Sequence, residues 1–171
     1  MQKVKWFERR FDFQTEQNIF PSIMERLSGT PARLEEKMQA IAEDLFEKRI
    51  NDTWTIKENI GHLIDLEPLW QGRLQDIIYG EIELRPTDLQ NRKTDLANHN
   101  DKSMAELLAE FRAIRNLTIN QLATIDEATV FKYALHPRLK TPMRTMDLFL
   151  FVAEHDDHHL ARITEIGTNN F

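Results

Sequence analysis

The sequence predicts an all-α protein that folds as a four-helix bundle. Glycine and proline are scarce, with five and six residues in a chain of 171, whereas leucine, glutamate, alanine and other residues that favour helices are plentiful. Apolar residues recur at helical spacing in four segments with turn signals between them. A chain of this length is expected to form one domain over residues 1–171, large enough to bury a core.

The first helical segment is predicted in two pieces. The first piece covers roughly residues 16–27, and Ser28 and Gly29 are expected to end it. Thr30 then has the character of an N-cap, and Pro31 would occupy the first helical position, where proline is tolerated. The second piece is predicted to run to about Glu47.

The second helix has a clear start and a clear end. Thr55 and Glu58 have the T-x-x-E spacing of a capping box, and Gly80 is typical of a helix C-terminus. Pro68 lies inside this stretch and is expected to kink it. The segment carries an apolar stripe at helical spacing that comprises Ile56, Ile60, Leu63, Trp70, Leu74 and Ile77.

Two further helices complete the bundle. The third is predicted to open at a second capping box, Ser103 with Glu106. The fourth is expected to begin within residues 141–145 and to run to about Ile166, with Gly167 as its C-cap.

The connections between helices two and three and between helices three and four are unusually long, at residues 80–102 and 123–140. A connection of about 23 residues can return along a whole helix, which would leave helices two and three parallel. His62 lies roughly 10 Å from the start of helix two, and His159 lies roughly 12 Å from the end of helix four. The two residues are level only if these helices are antiparallel, which favours an up-down-down-up order.

Three histidines form the strongest functional signal. His155 and His159 are four residues apart on the apolar seam of helix four, so that they can hold one metal ion together. His62, at matching depth on helix two, would supply a third imidazole. Three protein ligands with an open fourth position are typical of catalytic metal sites. Each histidine taken alone could instead be a hydrogen-bonded core residue.

Other polar residues near these positions have weaker signals. Asp65 and Glu67 could serve as acid/base groups or as outer-shell partners of a ligand, although helix-surface carboxylates are the commoner case. His158 falls in a row that looks largely solvated. The neighbouring Asp156 and Asp157 could orient a ligand imidazole, but they too are more often surface residues.

His99 and His136 lie in the long connections, and the sequence offers neither of them a partner. They are not predicted to be metal ligands.

Three segments resemble the DinB/YfiT-like superfamily. Residues 54–63, WTIKENIGHL, are similar to its second-helix motif, and residues 155–163, HDDHHLARI, resemble its fourth-helix H-x3-H motif. Residues 25–36 are similar to a subgroup of small bacterial members. The resemblance implies an up-down-down-up bundle that binds one divalent ion, often zinc or nickel, through His62, His155 and His159. It also implies a homodimer.

Better-understood relatives use low-molecular-weight thiols: bacillithiol S-transferases, a mycothiol-dependent maleylpyruvate isomerase and the DinB-like domain of ergothioneine-synthesising enzymes. The leading hypothesis is therefore a metal-dependent transferase that acts on small-molecule thiol and electrophile substrates. Because the chain has no cysteine, the thiol would have to be a cosubstrate. The alternatives are a metal-dependent hydrolase and a non-catalytic stress-response or binding module with a vestigial metal site.

Composition narrows the remaining classes of function. The net charge of −6 argues against wholesale binding of nucleic acid, which usually needs a basic face. The N-terminal residues lack the apolar stretch of a signal peptide, and the longest apolar run, 148–153, is far too short to span a membrane. A cytoplasmic protein with no membrane partner is expected.

Overall fold

The computed structural model describes residues 6–11, 13, 15–51 and 53–168. The four predicted long helices are present and the all-α four-helix bundle is confirmed. The long helices are α1 (Phe20–Ala40), α2 (Ile56–Tyr79), α4 (Met104–Leu122) and α6 (Thr145–Thr168). The smaller elements are α3 (Arg92–Leu96), α5 (Glu127–Phe131), the strands β1 (Tyr133–Leu135) and β2 (Pro142–Arg144), and short 3-10 turns at Trp6–Glu8, Glu43–Leu45 and His99–Asp101.

Helices α1 and α2 each pack against both α4 and α6. Arg26 pairs with Glu154 (Nη2–Oε1 2.7 Å), and further along both helices Lys37 donates to Thr164 (2.8 Å). Because later residues of α1 contact later residues of α6, the two helices run in the same direction.

Helix α2 runs against α6. Asn59, near the start of α2, hydrogen-bonds His159, whereas Trp70, eleven residues later, packs against the earlier residue Phe151 with ring centroids 6.0 Å apart. This antiparallel pairing places the histidine of α2 level with those of α6.

Helix α4 runs against α1, since Arg112 pairs with Glu35 while the later Arg115 reaches the earlier Leu27. Taken in chain order, the four long helices therefore run up, down, down and up.

The break predicted at Ser28 and Gly29 is wrong, because α1 is one continuous helix that ends at Ala40. Thr30 is not a cap: its hydroxyl lies inside the helix, 3.0 Å from the Arg26 carbonyl. Pro31 withholds a backbone N–H from the carbonyl of Leu27, and the buried Arg115 guanidinium donates to that oxygen instead (3.4 Å). Tertiary packing thus compensates for a local helix breaker.

Both predicted capping boxes are confirmed, at Thr55–Glu58 and at Ser103–Glu106. Gly80 ends α2 in the left-handed conformation (φ 79°), where a side chain would be strained. Pro68 lies within the uninterrupted α2 helix. Every residue of the predicted apolar stripe of α2 is buried.

Gly167 is not the C-cap of α6, which continues to Thr168. A Cβ atom at this position would lie 2.5 Å from Cδ1 of Ile41. The glycine therefore permits a close approach between α6 and the segment that follows α1, and this contact accounts for a glycine inside the helix.

The two long connections meet at one side of α2. Leu84 donates to the Leu135 carbonyl, and Leu135 donates to the Ile82 carbonyl, both at 2.9 Å. Strands β1 and β2 form an antiparallel pair in the second connection, so that residues 136–141 form a turn above the bundle. No helix in the described part of the chain is long and apolar enough to cross a membrane.

Candidate metal centre

Helices α2 and α6 bring the three predicted ligands together. One ring nitrogen from each of His62, His155 and His159 lies within 4.8 Å of the other two, and all three side chains are buried. The Nε2 atoms of His155 and His159 are 3.2 Å apart. Two imidazole nitrogens bound tetrahedrally to zinc at about 2.0–2.1 Å would be separated by about 3.3 Å. The geometry therefore fits one shared ion.

Hydrogen bonds fix the tautomer of His159. The side-chain amide of Asn59 donates to the carbonyls of Trp54 (3.2 Å) and Thr55 (2.7 Å), which leaves its Oδ1 as an acceptor. Nδ1 of His159 lies 2.8 Å from that oxygen and must carry the proton. The Nε2 lone pair is thereby directed at the other two histidines.

A second chain of hydrogen bonds fixes His62. The hydroxyl of Thr94 donates to Oδ2 of Asp65 (3.0 Å) and so must accept from Nδ1 of His62 (3.0 Å). Nε2 of His99 lies 2.9 Å from the same Asp65 oxygen. This arrangement orients a ligand imidazole through outer-shell partners, as metal sites commonly do.

His155 has a different environment. Its Nδ1 atom is buried and has no hydrogen-bond partner among the residues that the structure describes. The ring packs against Trp6 and Trp70, with centroids 5.1 and 6.2 Å away. An ion bound to Nε2 would leave the ring proton on Nδ1, so among the described residues this N–H has no acceptor, at a cost of about 1–3 kcal/mol.

The three imidazoles are neutral at pH 7. Burial lowers the pKa of His62 to about 4, against the opposing effect of Asp65. Burial and the proximity of the other ring nitrogens also place the pKa values of His155 and His159 well below the usual range. Metal binding requires the deprotonated ring, and this site supplies it.

The two carboxylates near His62 have separate environments. Burial alone would raise the pKa of Asp65, but hydrogen bonds from His99 and Thr94 outweigh it and the pKa is lowered. Asp65 therefore fits the outer-shell role that the sequence predicted as one of two. Glu67 instead contacts Arg115 and Thr118 of α4, is fully buried and does not line the cavity beside the histidines. Its surroundings do not support an acid/base role.

The structure corrects the exposure expected for two residues of α6. Asp156 is only 1% exposed and pairs with the equally buried Arg115. His158 is half-buried, and its ring lies 5.2 Å from that of Trp6. The sequence favours solvent exposure for both residues because polar residues occur on two sides of this helix. A sequence pattern does not reveal which of these sides is covered by another element.

A cavity of about 560 Å³ opens beside the three histidines. Six tryptophan and phenylalanine side chains contribute to its wall, together with three arginines. The lining includes Trp6, Arg9, Phe11, Phe13, Trp54, Leu66, Trp70, Arg73, Pro86, Thr87, Asp88, Leu89, Asn91, His136, Pro137, Arg138, Leu139, Met143, Phe151 and His158. Sequence reasoning missed these residues, because many of them lie in connections and in the N-terminal segment, which have no periodicity.

Replacing Thr94 with Val is expected to weaken metal binding about 10–100-fold, because Nδ1 of His62 loses its acceptor while the side-chain volume is kept. Competition with a chromophoric chelator measures the change. Thr124→Val, an exposed threonine away from the site, serves as the control and should bind like the wild type. Equal affinity in the Thr94 variant would show that the hydrogen bond does not orient the ligand.

The fold and the site together define the class of protein: a four-helix bundle in which three inward-facing histidines, suited to hold one metal ion, lie beside a cavity. Residues 26–163 match the DinB superfamily, and the chain belongs to it, as the sequence resemblance indicated. Among solved structures the chain is similar to YfiT from Bacillus subtilis, described as a probable metal-dependent hydrolase with an unusual four-helix bundle topology. The two are 20% identical, with a TM-score of 0.80 over 94% of this chain and 93% of that one. No curated protein matches the chain.

Proposed function

We propose that this protein is a metal-dependent transferase that binds one divalent ion, zinc or nickel, and joins a low-molecular-weight thiol to an electrophile. The observation that carries the proposal is the group of three neutral, inward histidines beside a cavity of about 560 Å³. A cavity of this size accommodates small organic substrates.

An ion held by these three neutral imidazoles would keep its full charge and would lower the pKa of a thiol or water molecule bound to it. Asn59 fixes the tautomer of His159, and Thr94 fixes that of His62, so that Nε2 of each ring would be free to bind the ion. Aromatic side chains, Trp54 and Trp70 among them, line the cavity and would exclude water from a bound electrophile. The chain itself has no cysteine, so the thiol is supplied as a cosubstrate.

Hydrolysis is the second candidate function. It is favoured by the similarity in fold to YfiT, which is described as a probable metal-dependent hydrolase. The ion held by the same three histidines would then activate a water molecule in place of a thiol. The two functions differ in one requirement, since only the transferase needs an added thiol.

The test uses protein loaded with zinc or nickel and 1-chloro-2,4-dinitrobenzene as electrophile, with and without N-acetylcysteine. We expect thiol conjugation that falls at least about 100-fold in His62→Ala and in His159→Ala, because metal activation contributes several kcal/mol. Lys102→Ala, which does not line the cavity, is the control. Hydrolysis of 4-nitrophenyl acetate without thiol, lost in the same variants, would favour the hydrolase. Neither reaction by the metal-loaded protein would favour the non-catalytic binding module.

The homodimer implied by the resemblance and the cytoplasmic location expected from the sequence stay predictions. Size-exclusion chromatography with light scattering measures the first directly.

A further inference from the structure

One buried cation in the cavity wall has a donor that no described residue satisfies. Arg73 is only 3% exposed, and its Nη2 atom has no hydrogen-bond partner among the described residues. Its Nε donates to the Arg85 carbonyl (3.1 Å), and the guanidinium lies over the Trp70 ring, 5.6 Å from the centroid. A buried guanidinium with an unused donor is costly unless a ligand satisfies it.

The neighbouring carboxylate does not satisfy it, because Asp76 is occupied by Arg85. Nε of Arg85 lies 3.0–3.1 Å from both Asp76 oxygens, and Nη2 lies 2.6 Å from Oδ1. The Arg85 guanidinium fits over Gly72, where a Cβ atom would lie 2.1 Å from its Nη1. Although burial lowers the pKa of Arg73 to about 10, the group is still charged at pH 7.

Two further donors line this cavity, and both lie in the turn between β1 and β2. Nδ1 of His136 accepts backbone N–H groups from Arg138 (3.3 Å) and Leu139 (3.1 Å), so the ring proton of the neutral form is on Nε2. Burial lowers the pKa of His136, and the charges of Arg73 and Arg138 lower it further against the opposing charge of Glu83, a carboxylate that pairs with Lys140. The exposed Arg138 has no ion-pair partner within the described residues.

This cationic region lies one aromatic ring away from the metal ligands. Trp70 contacts both the Arg73 guanidinium and His155, with the Trp70 and His155 ring centroids 6.2 Å apart. The carboxylate in the lining, Asp88, accepts the backbone N–H groups of Gln90 and Arg92, and within the described residues it forms no ion pair with Arg73 or Arg138.

We propose that Arg73, His136 and Arg138 bind the carboxylate of a substrate whose apolar body lies along Trp70 and whose reactive group reaches the three histidines. This inference rests on the proposed function, because it names the class of substrate that the same site would take, namely small organic acids. A carboxylate is the expected ligand because its two oxygens can accept parallel hydrogen bonds from the planar donors of a guanidinium.

The first experiment uses metal-free protein, so that its outcome is independent of the metal chemistry. Calorimetry compares 4-phenylbutyrate with its neutral analogue 4-phenylbutanamide. The wild type should bind the acid at least about tenfold more tightly, since charge-assisted hydrogen bonds exceed neutral ones by this order. Arg73→Met should abolish the preference, and the exposed Arg138→Ala should reduce it without affecting the fold.

Arg85→Met tests the arrangement itself. Arg85 does not line the cavity, but its loss would free Asp76 to pair with Arg73, and the preference for the acid should fall. Lys102→Ala should behave as the wild type. The proposal is overturned if the wild type binds neither probe, or binds both equally, or if Arg73→Met and Arg138→Ala both keep the full preference.

A second arm identifies which substrate carries the carboxylate. Cobalt-loaded protein is titrated with 3-mercaptopropionate and with 3-mercaptopropan-1-ol, and the thiolate absorption is recorded. Tighter binding of the acid, lost in Arg73→Met, assigns the carboxylate to the thiol. Equal binding of both thiols, with the phenylbutyrate preference intact, assigns it to the electrophile. Failure to bind cobalt would count against the proposed function alone.

Discussion

Arg115→Met is expected to lower the free energy of unfolding by about 3–5 kcal/mol at pH 7. Arg115 is 1% exposed and forms ion pairs with Glu67 and Asp156, which are equally buried. The substitution keeps much of the apolar volume but leaves two carboxylates in the core without a counter-ion. Urea denaturation followed by circular dichroism measures the loss.

The destabilisation should decrease as the pH falls from 7 towards about 4. Even with Arg115 present, burial raises the pKa of Glu67. Without the guanidinium, the folded-state pKa of Glu67 should rise further above its unfolded value near 4. A carboxyl group with a raised folded-state pKa favours folding below its unfolded pKa, and this contribution is lost as the pH rises through the folded value.

Arg112→Met is the matched control, because Arg112 lies on the same helix and forms the same kind of pair with Glu35 (2.7 Å). That pair is about 40% exposed, so its loss should cost less than about 1 kcal/mol. Equal stability of the two variants would show that the buried network does not hold α1, α2, α4 and α6 together.

His159→Ala is expected to weaken binding of zinc or nickel more than about 100-fold. Loss of an outer-shell partner typically costs 10–100-fold, and loss of a ligand should exceed it. The effect is measured by chelator competition on purified protein. His158→Ala, one residue earlier in α6, removes an imidazole outside the three-histidine group and should keep the wild-type affinity. Similar affinities for His159→Ala and the wild type would contradict the assignment.

The fold was predictable where the sequence carries local signals. Capping boxes such as Thr55–Glu58 are specified by hydrogen bonds within one helical turn, so helix starts could be identified without tertiary information. Pro31 and Gly167 were misleading because their effects depend on distant partners. The Arg115 guanidinium satisfies a carbonyl that Pro31 leaves free, and Ile41 occupies the space beside Gly167.

The candidate site divides in the same way. The three histidines lie on the apolar faces of two helices. Their positions along these helices are level when the helices are antiparallel, so the sequence could predict that His62, His155 and His159 come together. Their partners are less regular: Thr94 comes from α3, inside a long connection, and no periodic pattern indicates it. The cavity wall around His136 depends on a turn between two short strands, and local sequence does not specify where that turn packs.

The central claim is a metal ion held by three histidines, and X-ray absorption spectroscopy on purified, metal-loaded protein tests it most directly, with metal content determined on the same sample. We predict about one zinc or nickel ion per chain and three imidazole nitrogens at about 2.0–2.1 Å. The His155→Ala/His159→Ala variant should retain no ion. A wild-type protein that holds no ion after incubation with either metal, or holds one without imidazole ligands, would contradict the account.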